Sequence, residues 1–220
     1  MTAIQAAVDR YRVRTIVVSD RLPVRAKTHL LKTAQAPIIC IHSMKPPTFS
    51  GFRVFTKLIL VPLDKSEFTG LALPYAMNMA RSANVPVILL TVVPSLRDIL
   101  YMNAVAAGQP ASFLADQLLQ EHENVIAQDA HQYLVNIRKM WDQCNDGKVL
   151  TRVEYGNEAY GIVNCAKLYD VEAIIMSSRH HNILSYLMAL SVADQVVRWT
   201  ERPVLTISVP SAERVASEQY

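Results

Sequence analysis

Residues 171–209 form one strand–turn–helix–strand unit, which constrains the fold of this chain more than any other feature. The apolar run 171–176 predicts a buried strand, the polar stretch 177–182 predicts a turn, and residues 183–200 predict a helix. A second apolar strand is predicted at residues 204–209. A strand that runs through a polar turn into a helix directs backbone N–H groups at a ligand. The turn lacks the glycine that a close-fitting phosphate loop normally needs, so the unit predicts a nucleotide-binding architecture with an altered loop.

Strands and helices alternate along the rest of the chain. Apolar runs predict three more strands, and apolar residues at helical spacing predict three more helices. The strands lie at residues 57–63, 85–93 and 148–153, and the helices at residues 66–82, 112–144 and 156–169. Ser66 is the expected N-cap of the first of these helices. The alternation predicts an α/β fold with a doubly wound, mostly parallel, five-stranded sheet of the Rossmann-like or flavodoxin-like kind, with ligands at the carboxyl ends of the strands.

The N-terminal segment is a weak copy of the C-terminal unit. Residues 9–21 align with residues 167–179, with identities at Tyr11/Tyr169, Val13/Val171, Ile16/Ile174, Ser19/Ser177 and Arg21/Arg179. Residues 30–41 align with residues 196–207, and the copy is expected to form a strand at 14–18, a helix at 24–34 and a strand at 37–41. Such a half-unit cannot bury both faces of its strands alone, so it must pack on the main domain or on another chain. Chance similarity between two strand–helix–strand units is the alternative.

Composition divides the chain into four segments. Pro46, Pro47 and Gly51 interrupt regular structure and mark a linker. We predict a truncated half copy at residues 1–45, the linker at 46–55, a complete domain at 56–210 and a tail at 211–220.

The bulk composition indicates a well-packed protein of a reducing compartment. Hydrophobic residues make up 51% of the chain and the mean hydropathy is +0.15, as expected for a filled core. No apolar run approaches the ~18 residues that span a bilayer, so no membrane insertion is expected. The N-terminus has no secretory pattern, and the three widely spaced cysteines (Cys40, Cys144 and Cys165) argue against a disulfide framework. These features predict a cytoplasmic location.

Charge is distributed unevenly along the chain. Residues 1–55 hold nine Lys and Arg residues against two Asp, a net charge of +7. The remaining residues hold 13 basic and 17 acidic side chains, a net charge of −4. The basic segment is therefore expected to dock on the acidic body or on an acidic protein partner. Nucleic-acid binding is not expected, because no basic run is interleaved with aromatic residues.

Three stretches resemble the universal stress protein family: residues 57–66, the strand end at 89–93 and the unit at 174–207. The resemblance extends over residues 57–209, with residues 11–41 as a truncated second copy. It implies a binding and regulatory module of the stress response. The sequence also contains no Gly-x-Ser-x-Gly, Gly-x4-Gly-Lys-Ser/Thr or His-Glu-x2-His motif, so no enzymatic activity is expected.

The ATP-binding branch of that family carries the pattern Gly-x2-Gly-x9-Gly-Ser/Thr after its fourth strand. These positions fall here on Ser177, His180, Leu190 and Ser191, so the spacing and final hydroxyl are kept but all three glycines are replaced. His180 and Leu190 add bulk where the family leaves room for the triphosphate. The resemblance therefore implies impaired or absent ATP binding. No cofactor is expected, and ATP or AMP is the open alternative.

Each residue of this loop also has a structural alternative. Arg179 could bind an anion at the start of the helix or form a surface ion pair. His180 and His181 could bind an anion when protonated or simply lie exposed, and no further metal ligand is near them in sequence. Ser191 could donate to a phosphate or, as a mid-helix serine, bond its own backbone.

The resemblance implies that the family's adenosine-binding residues are retained in this chain. The family's acidic residue at the end of the first strand falls on Asp64, and its apolar adenine contact falls on Val92 or Val93. Asp64 could instead cap the following helix. Its position in the family pattern keeps both roles open.

Three functions follow from these observations, of which the last is an adaptor for a membrane transporter or an acidic protein that uses the basic face of residues 10–32. The first is a regulatory module that acts through dimerisation and protein partners. The second is an adenine-nucleotide sensor that uses Asp64, Val92 or Val93, and Ser191. The resemblance implies a homodimer through the last strand, at residues 204–209, which should be a sheet edge. The strand at 37–41 could take that place within one chain and form an intrachain pseudo-dimer.

Overall fold

The computed structural model describes residues 10, 15–19, 21–33, 36–41, 57–66, 70–95, 116–142, 148–178 and 191–208. The described residues form seven strands and five helices. In chain order these are β1 (Ile16–Ser19), α1 (Val24–Thr33), β2 (Ile38–Ile41), β3 (Ile59–Pro62), α2 (Ala72–Ala83), β4 (Val87–Val93), α3 (Asp116–Asp142), β5 (Val149–Tyr155), α4 (Glu158–Leu168), β6 (Ala173–Ser178), α5 (Val192–Trp199) and β7 (Val204–Ser208).

The seven strands belong to one sheet with the order β1-β2-β7-β6-β3-β4-β5. Neighbouring strands are parallel except for β2 and β7, which are antiparallel. The prediction of a doubly wound, mostly parallel α/β sheet is confirmed, but the strand count is seven instead of five because β1 and β2 extend the sheet beyond β7. Along β7-β6-β3-β4-β5 the strand order reverses at β3, and such a reversal opens a ligand crevice at the carboxyl ends of the strands.

Both faces of the sheet are covered, which explains why its strands read as continuous apolar runs. Leu60 and Ile174, from the central strands, pack with α1, α4 and α5 on one face. Val61 and Ile175, the next residue of each strand, pack with α2 and α3 on the other face. All four side chains are fully buried. This two-sided core fixes the positions of the residues that follow each central strand.

The turn after β6 and the start of α5 differ from their predicted positions. β6 continues through Ser177 and Ser178, because both residues pair with β7, whereas the sequence predicts a turn from Ser177 onward. Ser191 is the N-cap of α5 and has an extended backbone, with ψ of 156°. The prediction of a helix over residues 183–200 with Ser191 in its interior is therefore wrong at Ser191.

The last strand is not a sheet edge, contrary to the prediction for residues 204–209. β7 lies between β6 and β2. Its register with β2 pairs Ile38 with Thr206, Ile39 with Leu205 and Cys40 with Val204. The Thr206 hydroxyl also donates a hydrogen bond to Ile38 O at 3.2 Å. The N-terminal strand thus covers backbone groups that an edge strand would leave unpaired.

Charged side chains join three segments at the amino end of the sheet. Asp170 accepts hydrogen bonds from Lys57 Nζ at 2.5 Å and from Arg202 Nη2 at 2.6 Å. The hydrogen bonds from these two cations lower the pKa of the Asp170 carboxyl below its ordinary value. Because the three side chains are at least a third exposed, the cluster contributes little to the free energy of unfolding. It joins the residues that lie just before β3, β6 and β7.

The β2–β7 register can be tested with a disulfide. Val204→Cys places a second thiol opposite Cys40, and opposed residues of antiparallel strands lie within the Cα separation of about 4.4–6.8 Å that a disulfide spans. In a Cys144→Ser background, we expect oxidation to form this bridge within one chain, as measured by mass spectrometry of the digested protein. Burial raises the pKa of the Cys40 thiol to about 11, so the oxidation requires alkaline buffer.

The matched control for this crosslink is Leu205→Cys. Leu205 is the neighbouring residue of β7 and lies opposite Ile39, on the other face of the sheet from Cys40. We expect no bridge to Cys40 in this variant. Equal crosslinking of both variants would contradict the register.

Candidate functional site

A cavity of about 230 Å³ opens at the carboxyl end of the sheet, where the strand order reverses. The ends of β3, β4 and β6 and the starts of α4 and α5 form its walls. Its polar lining residues are Asp64, Glu158, Ser177, Ser178 and Ser191, and its other lining residues are apolar. A concave apolar site with a few converging polar groups at this point of an α/β sheet is typical of a binding pocket.

Asp64 holds the turn that follows β3. Its Oδ1 accepts a hydrogen bond from the Ser66 backbone N–H at 3.0 Å and another from the Ser66 hydroxyl at 2.6 Å. Lys65, between these residues, has a positive φ of 62° and pairs with Asp129 of α3. Asp64 and Ser66 do not cap α2, because that helix begins at Ala72. The capping alternative is therefore wrong for both residues, and Asp64 closes a local turn at the cavity rim.

The charge of Asp64 also acts on α3. Burial and the nearby Asp64 carboxylate raise the pKa of Tyr133 above its ordinary value. Together with the Lys65–Asp129 ion pair, this electrostatic interaction links the turn after β3 to the middle of α3.

Val92 forms an apolar part of the cavity wall. Val93, the next residue of β4, is buried and does not line the cavity. Successive strand residues point to opposite faces, so only one of the two predicted adenine contacts can reach a ligand, and it is Val92. Gly161 of α4 lies against this side chain, since a Cβ atom at Gly161 would be only 2.9 Å from Val92 Cγ2. Gly161 therefore lets α4 approach Val92 closely at the cavity wall.

The Ser191 hydroxyl is part of the cap of α5. Its Oγ accepts a hydrogen bond from the Asp194 N–H at 3.1 Å and donates one to Asp194 Oδ2 at 3.0 Å. Asp194 is only 2% exposed. A hydroxyl has one hydrogen, so Ser191 cannot donate to a phosphate while it donates to Asp194. This reciprocal cap is a role that neither sequence alternative for Ser191 includes.

Glu158 is a lining residue that is not among the predicted site residues. It is the first residue of α4, after the N-cap Asn157, whose side chain accepts a hydrogen bond from the Tyr160 N–H at 3.0 Å. Its place just after β5 is a usable signal, because the carboxyl ends of parallel strands share one edge. The described lining thus carries two carboxylates, Asp64 and Glu158, and no Lys, Arg or His.

Four of the predicted binding residues line this one cavity: Asp64, Val92, Ser177 and Ser191. Arg179 and His180 lie outside the described residues. Within the described part of the chain, no group of three or more His, Cys, Asp or Glu side chains could hold a metal ion. The described helices include none with the length and apolar character needed to cross a membrane.

The profile of the Universal stress protein family matches residues 56–208, which is more than half of the chain. This chain belongs to the universal stress protein family. No curated protein matches it. The matched residues include β3 to β7 and every lining residue of the cavity.

Solved structures share the fold of this universal stress protein. The hypothetical protein MJ0577, whose biochemical function was assigned from its structure, is 25% identical with a TM-score of 0.55, over 72% of this chain and 99% of that chain. Universal stress protein UspA from Lactobacillus plantarum is 19% identical with a TM-score of 0.55, over 71% and 99% of the two chains. A universal stress protein from Archaeoglobus fulgidus is 17% identical with a TM-score of 0.58, over 94% and 64%. The third alignment therefore takes in most of the N-terminal segment as well.

Proposed function

We propose that this universal stress protein is a regulatory binding module whose cavity takes the nucleoside part of an adenine nucleotide, with impaired binding of ATP. The main support for this proposal is that Asp64, Val92 and Ser177 line the same cavity. The Asp64 carboxylate can accept hydrogen bonds from ribose hydroxyls. Val92 and Ile162 supply apolar contacts for a base.

The size of the cavity supports a partial fit to a nucleotide. Pockets that bury a drug-sized ligand measure roughly 300–1,000 Å³. The cavity formed by the described residues, at about 230 Å³, lies below that range. A base and a ribose are therefore the expected contents, with any phosphate groups outside these walls.

Substitution of Asp64 tests the proposed function. Asp64→Asn keeps an oxygen that can accept a hydrogen bond from the Ser66 N–H. It removes the negative charge that strengthens the hydrogen bonds donated by the ribose hydroxyls. Hydrogen bonds to charged groups contribute roughly 1.5–3 kcal/mol, so we expect adenosine and AMP to bind at least about tenfold more weakly. Isothermal titration calorimetry measures this loss. Asp170→Asn, the same change at the opposite end of the sheet, is the control and should leave the affinity unchanged. Equal affinities in the wild-type protein and D64N would refute the assignment.

We also propose the domain organisation that the sequence predicts, with residues 1–45 as a truncated copy, 46–55 as a linker and 56–210 as a complete domain. Strand register supports the copy: the pair Ile16/Ile38 of β1 and β2 aligns with the pair Ile174/Val204 of β6 and β7. The backbone hydrogen bonds at these positions also correspond. The Ile16 N–H donates to Pro37 O at 2.8 Å, and the Ile174 N–H donates to Pro203 O at 2.9 Å.

The β2–β7 pairing supports an intrachain pseudo-dimer. Ile39 and Leu205 are aligned positions of the two copies, and they are also the central pair of the antiparallel register. A two-fold axis between these two residues would superpose β1 and β2 on β6 and β7. We propose that β2 takes the place that the last strand of a second subunit occupies in family dimers, and that the intact chain is a monomer.

A second candidate function is an adaptor for an acidic protein partner. Residues 21–33 contain Arg21, Arg25, Lys27 and Lys32 and no Asp or Glu. Such a basic segment favours an acidic partner, with an affinity that falls as salt rises. Both candidates are binding functions without catalysis, and both belong in the cytoplasm. The buried thiols of Cys40 and Cys165 form no disulfide, as expected in that reducing compartment.

A further inference from the structure

The outer edge of β1 is open in the described sheet. β1 pairs with β2 on one side, and it is the terminal strand of the described order. The Ile16 N–H donates to Pro37 O, on the side of β2. Because the backbone groups of successive strand residues point to opposite sides, the N–H and C=O of Val17 point away from β2. No described strand lies there to pair with them.

The complete domain shows what lies at the matching edge. The alignment that matches Ile16 with Ile174 also matches Val17 with Ile175. There, β6 pairs with β7 on one side and with β3, in parallel, on the other. Ile175 is fully buried, whereas Val17 is 60% exposed. In the proposed truncated copy, the outer edge of β1 is therefore the position of a missing strand.

An apolar strip continues from this edge across one face of β1 and β2. Val17 lies opposite Ile39 and Ser19 lies opposite Ile41, so these four residues share a face. Ile39 packs at the border of the same core that contains Ile175, and Ile41 is 40% exposed. A strand beside β1 would bring its own alternate side chains against Val17. The strip therefore favours a partner strand with apolar residues at alternate positions.

Charge around β1 indicates which kind of strand can pair with it. Residues 10–33 carry seven Lys or Arg and one Asp. Arg14 precedes β1, and the exposed Arg21 and Arg25 follow it. Pairing of β1 with β1 of a second copy would bring two basic segments together, and like charges on paired strands are destabilising. A strand with acidic residues at its ends would instead be attracted.

We propose that β1 is the docking site for an acidic peptide segment of a partner protein, which adds as a strand in the place that β3 takes beside β6. The inference rests on the adaptor function proposed above, and it gives that function a site and a binding mode. Main-chain hydrogen bonds at Val17 hold the segment, and its acidic ends face the basic residues that flank β1. β1 has four residues, so the interface is small and the complex is transient.

Two fluorescein-labelled peptides test this binding mode on the wild-type full chain. The first, Asp-Glu-Val-Thr-Val-Thr-Val-Glu-Asp, can form a strand with acidic ends. The second, Asp-Glu-Val-Pro-Pro-Thr-Val-Glu-Asp, has the same charge, but its adjacent prolines remove a backbone donor from each side. Fluorescence anisotropy should show about tenfold tighter binding of the first peptide, because only that peptide can make the full set of ladder hydrogen bonds.

Substitution of Val17 tests the position of the site. Val17→Pro removes the outward N–H, and proline is tolerated where the N–H of an edge strand faces solvent. Its affinity for the first peptide should fall about tenfold, to the level of the second peptide. Thr151→Pro is the matched control, because β5 is the opposite terminal strand. Lys148 O accepts from the Val87 N–H of β4, so the Thr151 N–H also points outward. This control should bind the first peptide like the wild-type protein.

The outcomes separate this inference from the adaptor function. Equal binding of the two peptides to the wild-type protein would overturn strand addition and leave an adaptor that binds through charge alone. This comparison needs no variant, so it holds even if V17P does not fold. Equal losses in V17P and T151P would overturn β1 as the site. Binding of neither peptide would overturn both the inference and the adaptor function.

Discussion

Residues 56–208 produced without the N-terminal segment should form a dimer, whereas the intact 24.6 kDa chain should be a monomer. Removing β2 exposes the backbone groups of β7 along one edge, and an unpaired edge strand is a template for pairing with another chain. The edge would also expose part of Leu205, whose side chain is now buried. Light scattering after size-exclusion chromatography measures the change as a doubling of mass for the shortened chain.

The shortened chain is expected to fold, because relatives of that extent are complete structures. The alignments to MJ0577 and to the Lactobacillus plantarum protein cover 99% of those chains but only 72% and 71% of this one. The control is Thr206→Pro in the shortened chain, since proline removes a backbone donor from the exposed edge and should keep the protein monomeric. A monomeric shortened chain without the proline, or a dimeric intact chain, would refute the intrachain pseudo-dimer.

The architecture could be predicted from the sequence because each element carries a strong local signal. Central strands buried on both faces, such as Ile59–Pro62 and Val87–Val93, read as short continuous apolar runs without the spacing of an amphipathic helix. The pairing partner of the last strand could not be chosen from that signal. The apolar residues 204–209 are equally suited to pairing with a second subunit and to pairing with β2. Only the three-dimensional register distinguishes these two partners.

Details of the site depended on contacts that sequence patterns do not encode. The family pattern places Ser191 correctly in the cavity, but its bonds to Asp194 depend on where α5 begins. Val92 and Val93 are the same residue type, so the sequence cannot tell which of them faces a ligand. The alternation of side chains along β4 puts only Val92 at the cavity. Glu158 follows β5, which is separated from β6 by β3 and β4, so the family's loop pattern after β6 gives no signal for it.

Gly161→Ala should weaken both the fold and adenosine binding, because the new methyl group meets Val92. An ideal Cβ at Gly161 would lie 2.9 Å from Val92 Cγ2 and 3.0 Å from Val92 Cγ1. Valine is stiff at χ1, so it cannot turn away from this contact without moving β4 or α4. Overpacking of this kind costs about 1–3 kcal/mol, partly offset by the roughly 0.5–1 kcal/mol by which alanine favours a helix interior over glycine. Displacing Val92 toward the cavity should weaken adenosine binding about tenfold, an effect of about 1.4 kcal/mol.

A double-mutant cycle isolates this contact from other effects of Gly161→Ala. Val92→Ala alone removes two methyl groups from a half-buried site and should cost about 1–2 kcal/mol. In the V92A background the added methyl at position 161 has room, so the double variant should be more stable than the sum of the single effects by about 1–3 kcal/mol. Urea unfolding followed by circular dichroism measures the three free energies, and calorimetry with adenosine measures the matching affinities. Additive effects on stability would mean that Gly161 does not set the position of Val92. A stability coupling with no recovery of affinity would place the Val92 contact outside the ligand site.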